Sequence, residues 1–410
     1  MALTRRALPA LIVASLGIST GVRAEPLAPT PPLPKEDTFG VYVYGGSLYD
    51  SNPFLVSGKE QARQELGTSD TSDLITRAGA GLQIKWPISL QTLRFNGTVE
   101  YDHYQHFNSL NHMAANADVA WDWEIGRLWS GTIENSYTRD IASFEEFRSV
   151  KKDIQTQLDT SANAGFQFLP DWQWVVGARR RAVTFDVHND LNRVESTAFT
   201  EVHYDTPVNT RMGLRAEITR GDLEKEQLAA GAFASNDYTE EQYSFVLGVE
   251  SSEQLSYVTG RIGYTQRRYD ELTGRDFSGP TFRLSYLWQI TPITSLRISG
   301  WRELQSQNDE IVNYVVAQGY SLEPVWQATL KIRVRAQYSF QDMDFKGGKG
   351  TADPDAGRVD RENTFGLGID YEALSNLYFS IAATHQSRDS NREDRKFDDD
   401  QVSAGVTYAF

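Results

Sequence analysis

The last ten residues, Gln-Val-Ser-Ala-Gly-Val-Thr-Tyr-Ala-Phe from 401 to 410, alternate strictly between two kinds of side chain. One face carries Val402, Ala404, Val406, Tyr408 and Phe410, and the other carries small or polar residues. A period of two indicates a β-strand with unlike faces. The strand that closes a barrel in lipid is held on both edges and turns its apolar face outward. An amphipathic strand at the end of a soluble sandwich is the alternative.

The same stretch resembles the C-terminal recognition strand of bacterial outer-membrane proteins. An aromatic residue stands at the end, and a second one stands two positions before it. The resemblance implies that this strand interacts with the barrel-assembly machinery of the outer membrane.

Composition favours a barrel over membrane helices. No run of 18 or more apolar residues follows the first 25, so the sequence contains no candidate helical span there. The chain has 19 Tyr, 20 Phe and 9 Trp, as the aromatic girdles of a barrel require. It has no Cys, which excludes disulfides and thiol chemistry, and its net charge of −15 argues against a nucleic-acid partner.

The N-terminus has the features of a secretory signal peptide over residues 1–24. Arg5 and Arg6 precede a short apolar segment, and Val22-Arg23-Ala24 forms a small-x-small cleavage site. Residues 25–38 contain five prolines between Pro26 and Pro34 and are expected to form an extended periplasmic lead-in. The barrel is then expected to occupy residues 39–410.

Short turns and longer polar loops alternate along this region. The spacing of turns, roughly every 40 residues, predicts an all-β, transmembrane, antiparallel up-and-down β-barrel of about 18 strands, with short periplasmic turns and longer extracellular loops. The turns are expected at Pro87–Ser89, Gly126–Arg127, Pro170–Asp171, Thr206–Asn209, Ser251–Glu253, Thr291–Thr294, Glu323–Val325 and Leu374–Asn376. The longer loops are expected at 50–72, 140–150, 221–236, 346–357 and 389–398.

The predicted strands have one uncharged face. Leu367, Ile369 and Tyr371 oppose Gly366, Gly368 and Asp370, for example. Lipid requires such a face, because Arg or Lys at the bilayer midplane costs about 2–4 kcal/mol. A soluble sandwich or propeller would also alternate, but its Trp residues would not concentrate beside the short turns. Two segments resist assignment: the run Arg179–Arg181 places an Arg on the wrong face, and 311–322 alternates weakly.

The opposite face is expected to line an aqueous lumen rich in basic residues. Such rings select permeants by charge, and Arg forks bind carboxylates, phosphates and sugar hydroxyls. Interleaved acids allow a second interpretation, in which Arg–Glu ladders only brace the wall. The candidate lumen residues are Arg77, Arg94, Arg211, Arg215, Arg261, Arg267, Arg283, Arg297, Lys331, Arg333 and Arg335.

Catalysis and metal binding have weak support in the sequence. The chain has six His, no G-x-S-x-G elbow and no zinc-like spacing of ligands. Asp398–Asp400 and the pair Asp353 and Asp355 offer carboxylates for calcium or for bridging lipopolysaccharide, but a solvated acidic loop is the favoured interpretation. We therefore expect no enzyme, no cofactor and no metal site.

One short motif resembles a known family. Tyr49-Asp50-Ser51-Asn52-Pro53-Phe54 is similar to the Y-D-x-N-x-F stretch of the β-barrel porin family associated with exopolysaccharide export, the EpsL-type proteins. In this sequence Pro53 replaces the expected apolar residue. From the residues alone, Asp50 and Asn52 are expected to cap the turn into the following loop.

The resemblance implies export of an extracellular polysaccharide through the outer membrane, and the basic lumen favours an acidic one. Its implied partners are periplasmic and inner-membrane polysaccharide export proteins, and the barrel itself would contact outer-membrane lipid and lipopolysaccharide. A general or anion-preferring diffusion porin, and a non-conducting scaffold or adhesin, remain alternatives.

Overall fold

The computed structural model describes residues 39–145, 150–224, 226–227, 233–250, 255–306, 314–346 and 357–410. Almost all of these residues lie in antiparallel strands or in the turns between them. The proposed signal peptide and the proline-rich lead-in lie outside the described residues. The strands are β1 Phe39–Asp50, β2 Asp73–Ile88, β3 Gln91–Tyr104, β4 His112–Ile125, β5 Trp129–Ile141, β6 Ile154–Leu169, β7 Trp172–Phe185, β8 Arg193–Asp205, β9 Thr210–Leu223, β10 Glu226–Gln227, β11 Phe233–Ala234, β12 Tyr238–Glu250, β13 Ser256–Tyr269, β14 Phe277–Thr291, β15 Thr294–Ser306, β16 Tyr314–Gln327, β17 Ile332–Lys346, β18 Val359–Leu374, β19 Leu377–Ser390 and β20 Phe397–Ala409.

Eighteen of these strands form one closed sheet, while β10 and β11 pair only with each other. Each wall strand pairs with its neighbours in the chain, and β1 pairs with β20 from Tyr42 opposite Ala409 to Asp50 opposite Gln401. The closing strand is therefore hydrogen-bonded on both edges, since β19 lies on its other side. The predicted fold class and strand number are confirmed.

The alternation of the sequence becomes an alternation of exposure. In β20, Val402 and Val406 are 50% and 38% exposed, whereas Gln401 and Thr407, on the opposite face, are buried. In β18, Phe365, Leu367 and Ile369 are exposed on one face while Thr364 on the other is buried. Because the exposed face is the apolar one, the barrel has apolar side chains on its outer surface and polar side chains on its inner surface.

The short turns lie at one end of the barrel, mostly where expected. The predicted turn at Ser251–Glu253 lies outside the described residues, and the one at Glu323–Val325 is wrong. Glu323, Pro324 and Val325 belong to β16, which ends at Gln327. Pro324 is tolerated because the β16–β17 ladder skips from Leu322 to Val325, so its missing N–H interrupts no hydrogen bond on that side.

The opposite end carries the loops. Helix α1, Lys59–Glu65, lies in the loop between β1 and β2, and its buried Ala62 packs in an apolar cluster with Phe54, Ile75 and Leu110. Within the described residues, no helix combines the length and the apolar character that a membrane span requires.

Three of the shorter loops share one design. Each contains a 3-10 turn, at Asn108–Leu110, Asn189–Leu191 and Thr273–Arg275. The backbone N–H of the aromatic residue that ends the preceding strand donates to a side chain seven residues later. These bonds join Tyr104 to Asn111 (2.7 Å), Phe185 to Asn192 (2.8 Å) and Tyr269 to Asp276 (2.9 Å).

Candidate functional site: the barrel lumen

The candidate lumen residues belong almost entirely to the inner face of the wall. Their strands place them there by parity, each flanked by lipid-facing neighbours. The exception is Lys331, which precedes β17 and lies in a turn, where Nζ donates to the Ala373 carbonyl at 2.9 Å. Lys331 was expected on a strand because Pro324 indicated a turn at 323–325. That prediction was wrong: β16 continues to Gln327, and Lys331 lies in the turn that follows it.

Most of these arginines are paired with carboxylates of the same strand, of a neighbouring strand or, for Arg261, of the next strand but one. In each pair the nitrogen lies within 4 Å of a carboxylate oxygen, so the guanidinium charge is largely balanced. The pairs are Arg77–Asp102 (3.1 Å), Arg94–Asp122 (2.9 Å), Arg211–Asp205 (2.7 Å), Arg215–Glu217 (2.7 Å), Arg261–Glu217 (3.7 Å), Arg267–Glu240 (2.8 Å), Arg283–Glu303 (2.9 Å), Arg297–Glu323 (3.6 Å) and Arg335–Asp370 (2.8 Å).

Arg333 differs from its neighbours. It faces the lumen one residue into β17 and is exposed, and no carboxylate of the described residues lies within salt-bridge distance of it. Lys85 on β2 is likewise exposed on the inner face. These two cations are the ones most available to a passing solute.

The run Arg179–Arg181 is resolved by the barrel geometry. Arg179 and Arg181 both point inward to Asp159 on β6, with Nε–carboxylate distances of 2.6 and 3.1 Å. Arg180 consequently points outward and is exposed. The sequence indicated the conflict but not the role of Asp159, because that residue lies 20 positions away and is brought opposite by the β6–β7 register.

Acidic side chains also line the lumen, especially on the side formed by β3 to β5. Asp118 and Glu124 on β4 face inward and are exposed, so they keep their hydration. Carboxylates therefore line the lumen beside the paired arginines, rather than arginines alone.

The motif Tyr49–Phe54 forms hydrogen bonds across the β1–β20 seam, where the barrel closes. Asp50 Oδ1 accepts the Asn52 N–H at 2.9 Å, as the expected cap does. Asp399 on β20 accepts the Ser51 hydroxyl at 2.9 Å and the Asn52 N–H at 3.0 Å. Gln401 donates to both Asp50 and Asp399, at 3.1 and 2.8 Å. Asp399 is therefore a buried strand residue and not part of a solvated loop.

The upper part of the β15–β16 hairpin separates from β14 and folds into the lumen, while β16 stays paired with β17 up to Tyr314 opposite Lys346. The β14–β15 ladder ends at Phe282 opposite Arg302, while β15 and β16 stay paired up to Ser306 opposite Tyr314. The Ser306 hydroxyl donates to Glu195 of β8 at 2.8 Å, although β9, β12, β13 and β14 lie between the two strands in the wall. A hairpin that stayed in the wall would not reach this residue.

Both faces of this inserted segment are buried. On one face, Leu304, Tyr314 and Val316 pack against Tyr238 and Tyr269, which lie on the inner surface of β12 and β13. On the other face, Val315 and Ala317 pack against Met343 and Phe345 of β17. Lost alternation over residues 314–317 explains why the register of this segment was not predictable from its pattern. Residues 311–313 lie outside the described part.

A second intrusion comes from the loop between β5 and β6. Glu145 in this loop accepts Gln386 Nε2 at 2.8 Å, and its backbone carbonyl accepts Arg388 Nη1 at 3.0 Å. Both partners lie on β19, which is separated from β5 by β20, β1, β2, β3 and β4. Arg388 also donates to Glu362 at 2.6 Å, so a buried ionic cluster fixes Glu145 of this loop inside the barrel mouth.

A closed antiparallel barrel with an apolar exterior and a polar, charged interior is a transmembrane β-barrel, because only closure satisfies every backbone hydrogen bond in lipid. The protein is an outer-membrane β-barrel of a bacterium. Its interior is narrowed near the loop end from two sides.

One family model matches the C-terminal part of the chain. Residues 254–410 match the family model described as "Putative beta-barrel porin 2". No curated protein matches the chain.

Similar solved structures include the outer membrane protein OpdK from Pseudomonas aeruginosa, at 10% identity over 91% of this chain and 98% of that one, with a TM-score of 0.47. OccK2 (OpdF) from Pseudomonas aeruginosa has 8% identity, the same coverages and the same TM-score. OccAB3 from Acinetobacter baumannii has 8% identity over 91% and 99% of the two chains, with a TM-score of 0.46.

Proposed function

We propose that the protein is a diffusion channel for small hydrophilic solutes of both charge signs, and not an enzyme. The observation that carries this proposal is the narrowing of a polar lumen by the β15–β16 hairpin and the β5–β6 loop. An 18-stranded wall encloses an aqueous channel unless something fills it. Here two wall-anchored segments reduce its width, and among the residues that the structure describes no apolar plug fills the whole bore.

The charge arrangement supports weak rather than strong charge selection. The arginines that would attract anions are mostly balanced by carboxylates within 4 Å, as at Arg94–Asp122 and Arg335–Asp370. Asp118 and Glu124 add exposed negative charge on another part of the wall. A strong preference for anions therefore has little support.

Polysaccharide export, which the sequence resemblance implied, has no support of its own in the described residues or in the comparisons. A polymer would have to slide past the Glu145–Arg388 contact and the inserted hairpin. Both are hydrogen-bonded to distant strands, at 3.0 and 2.8 Å. Small solutes need no such displacement.

Liposome swelling with uncharged sugars of increasing size tests this proposal. We expect monosaccharides to enter, disaccharides to enter more slowly, and long oligosaccharides to be excluded. The reversal potential across a planar bilayer in a KCl gradient is expected to lie near zero, because neither sign of charge dominates. The matched control is the same preparation heated to unfold the barrel before reconstitution.

Two results would contradict the proposal. Absence of both swelling and conductance would assign the barrel to a scaffold or adhesin. Passage of a polymer as efficiently as a monosaccharide would restore export as the function.

A further inference from the structure

The outer surface carries a row of arginines that the lumen does not explain. The β6, β7, β8, β9, β12 and β13 registers place six outward residues directly opposite one another. In strand order this outer arginine row is Thr160, Arg180, Ser196, Arg220, Thr239 and Arg268. Arginine alternates with a hydroxyl residue on every second strand, so successive arginines are separated by roughly 9–10 Å.

The row is exposed. Arg180, Arg220 and Arg268 are all solvent-accessible on the lipid-facing side, as are Thr160 and Ser196. Their positions follow from parity, since the residues before and after each arginine point into the barrel. Arg267, for example, is buried inside while Arg268 is exposed outside.

The three arginines of the row lack the carboxylate partners that most inward arginines have. Among the described residues, Arg180 and Arg220 have no carboxylate within 4 Å, and Arg268 donates to the Gln266 amide at 2.9 Å. The inward Arg179 and Arg267, beside them in sequence, each contact a carboxylate. Within the described residues, the row thus presents guanidinium groups without carboxylate partners to the surrounding membrane.

The height of the row is that of a lipid headgroup. Arg180, Arg220 and Arg268 lie eight, ten and twelve residues beyond the periplasmic ends of β7, β9 and β13. A tilted strand rises about 2.5 Å per residue, which places them about 20–30 Å above the short turns, at the upper edge of an apolar band about 25 Å tall. Tyr243 and Tyr264, an exposed cross-strand pair on β12 and β13, lie four residues below Thr239 and Arg268, so aromatic rings stand just beneath the row.

We propose that the outer arginine row binds the phosphate groups of outer-leaflet lipid of the lipopolysaccharide type. Arginine forks donate paired hydrogen bonds to phosphate oxygens, and the intervening hydroxyls supply further donors. The spacing allows one lipid headgroup with two phosphates, or two adjacent headgroups, to contact neighbouring arginines. The acyl chains then lie on the apolar band below.

Two carboxylates belong to the same surface. Asp222 lies two residues above Arg220 on β9, and Glu241 lies two residues below Thr239 on β12. Neither is within salt-bridge distance of the row. The titration is run in EDTA, which removes divalent cations that bridge carboxylates and phosphates, so that it measures the direct contribution of the arginines.

The test is a binding titration of the folded, detergent-solubilised full chain with hexa-acylated lipid A carrying two phosphates. The comparison ligand is the same lipid without phosphates. The variant combines Arg180→Gln, Arg220→Gln and Arg268→Gln. We expect it to bind phosphorylated lipid A at least tenfold more weakly than the wild type, and both proteins to bind the dephosphorylated lipid equally weakly.

The matched control combines Arg139→Gln, Arg361→Gln and Lys396→Gln. It removes the same charge from three side chains that are 39%, 63% and 36% exposed and are already paired, with Asp186, Asp342 and Glu393. It is expected to bind like the wild type, and heat-modifiable gel mobility verifies that all variants are folded.

Three outcomes would overturn the proposal: equal binding by the wild type and the arginine variant, equal loss in the control, or equal binding of the two lipids. Displacement of lipid A by equimolar inorganic phosphate would also contradict it, because a free phosphate would then be the ligand.

Discussion

At the scale of single residues, what a lumen arginine does depends on whether a carboxylate faces it. Arg335 is hydrogen-bonded to Asp370 at 2.8 Å, whereas Arg333, two positions away on the same face, is exposed. The first is part of the wall's bracing and the second is available to solutes. The sequence placed both on the inner face but did not distinguish them, because pairing depends on cross-strand register.

Charge reversal separates these two roles. Arg333→Glu is expected to shift the reversal potential in a KCl gradient toward cation preference, because it exchanges an exposed lumen charge, with little change in the urea midpoint of unfolding. Arg335→Glu places a carboxylate beside Asp370 and is expected to lower that midpoint. Equal effects of the two variants on both measurements would contradict the distinction.

Asp399 illustrates a buried residue whose role the sequence did not reveal. Its carboxylate accepts from Ser51, Asn52 and Gln401 across the β1–β20 seam. Asp399→Ala leaves buried donors unsatisfied, at a cost of about 1–3 kcal/mol, and should lower the urea midpoint. Asp398→Ala, at an exposed outward position of the same strand, is the control. A midpoint that is equal in both variants would exclude the seam role.

The stability of the barrel is expected to depend on pH through Asp153, which lies at the loop end. Burial disfavours its charge, but hydrogen bonds from the N–H groups of His188 and Val187 and from the His188 ring outweigh it, and hold the pKa of Asp153 below its usual value. Its stabilising effect should therefore be complete above the usual carboxyl pKa, about 4, and be lost as the pH falls through the lowered value.

The wild type and Asp153→Asn should accordingly differ in urea midpoint at pH 7 and converge at the lowest pH at which the barrel remains folded. Urea titrations at a series of pH values measure this convergence. A difference that grows with acidity would refute the assignment.

At the scale of elements, sequence pattern predicts wall strands well and inserted segments poorly. Strands such as β18 and β20 alternate because one face meets lipid and the other water. Residues 314–317 do not alternate, because the β15–β16 hairpin buries both faces. Alternation requires that the two faces of a strand meet different environments, so it disappears where both faces are buried in protein.

The shared loops show a signal that was present in the sequence but overlooked. Tyr104, Phe185 and Tyr269 are each followed, seven residues later, by Asn or Asp. The structure shows that this spacing lets the later side chain cap the end of the strand. The pattern marks the ends of β3, β7 and β13 independently of any turn-forming Pro or Gly.

The inserted hairpin should control conductance. Leu304→Ala with Val316→Ala removes apolar contacts with Tyr238 and Tyr269, and large-to-small changes of this kind cost about 2–5 kcal/mol for a leucine. We expect the hairpin to leave the lumen more often, which raises the mean single-channel conductance. Leu322→Ala, on the lipid-facing part of the same hairpin, is the control. Unchanged conductance in the double variant would mean that the hairpin does not limit flow.

At the scale of the whole molecule, strand number and sidedness were predictable because they repeat in every strand. The narrowing of the lumen was not, because it depends on contacts between elements far apart in the chain, such as Glu145 with Arg388 and Ser306 with Glu195. The barrel was predicted from a pattern that repeats in strand after strand, whereas the permeant was predicted from one short motif.

Spin-label accessibility along β3 tests the sidedness most directly, since the chain has no Cys to compete with introduced ones. Labels at Val99 and Tyr101 should be relaxed by oxygen dissolved in the bilayer and protected from a water-soluble nickel complex. Labels at Asn96 and Thr98 should show the reverse. The same accessibility at all four positions, or the two profiles exchanged, would contradict a barrel whose apolar row meets lipid and whose polar row lines a wet channel.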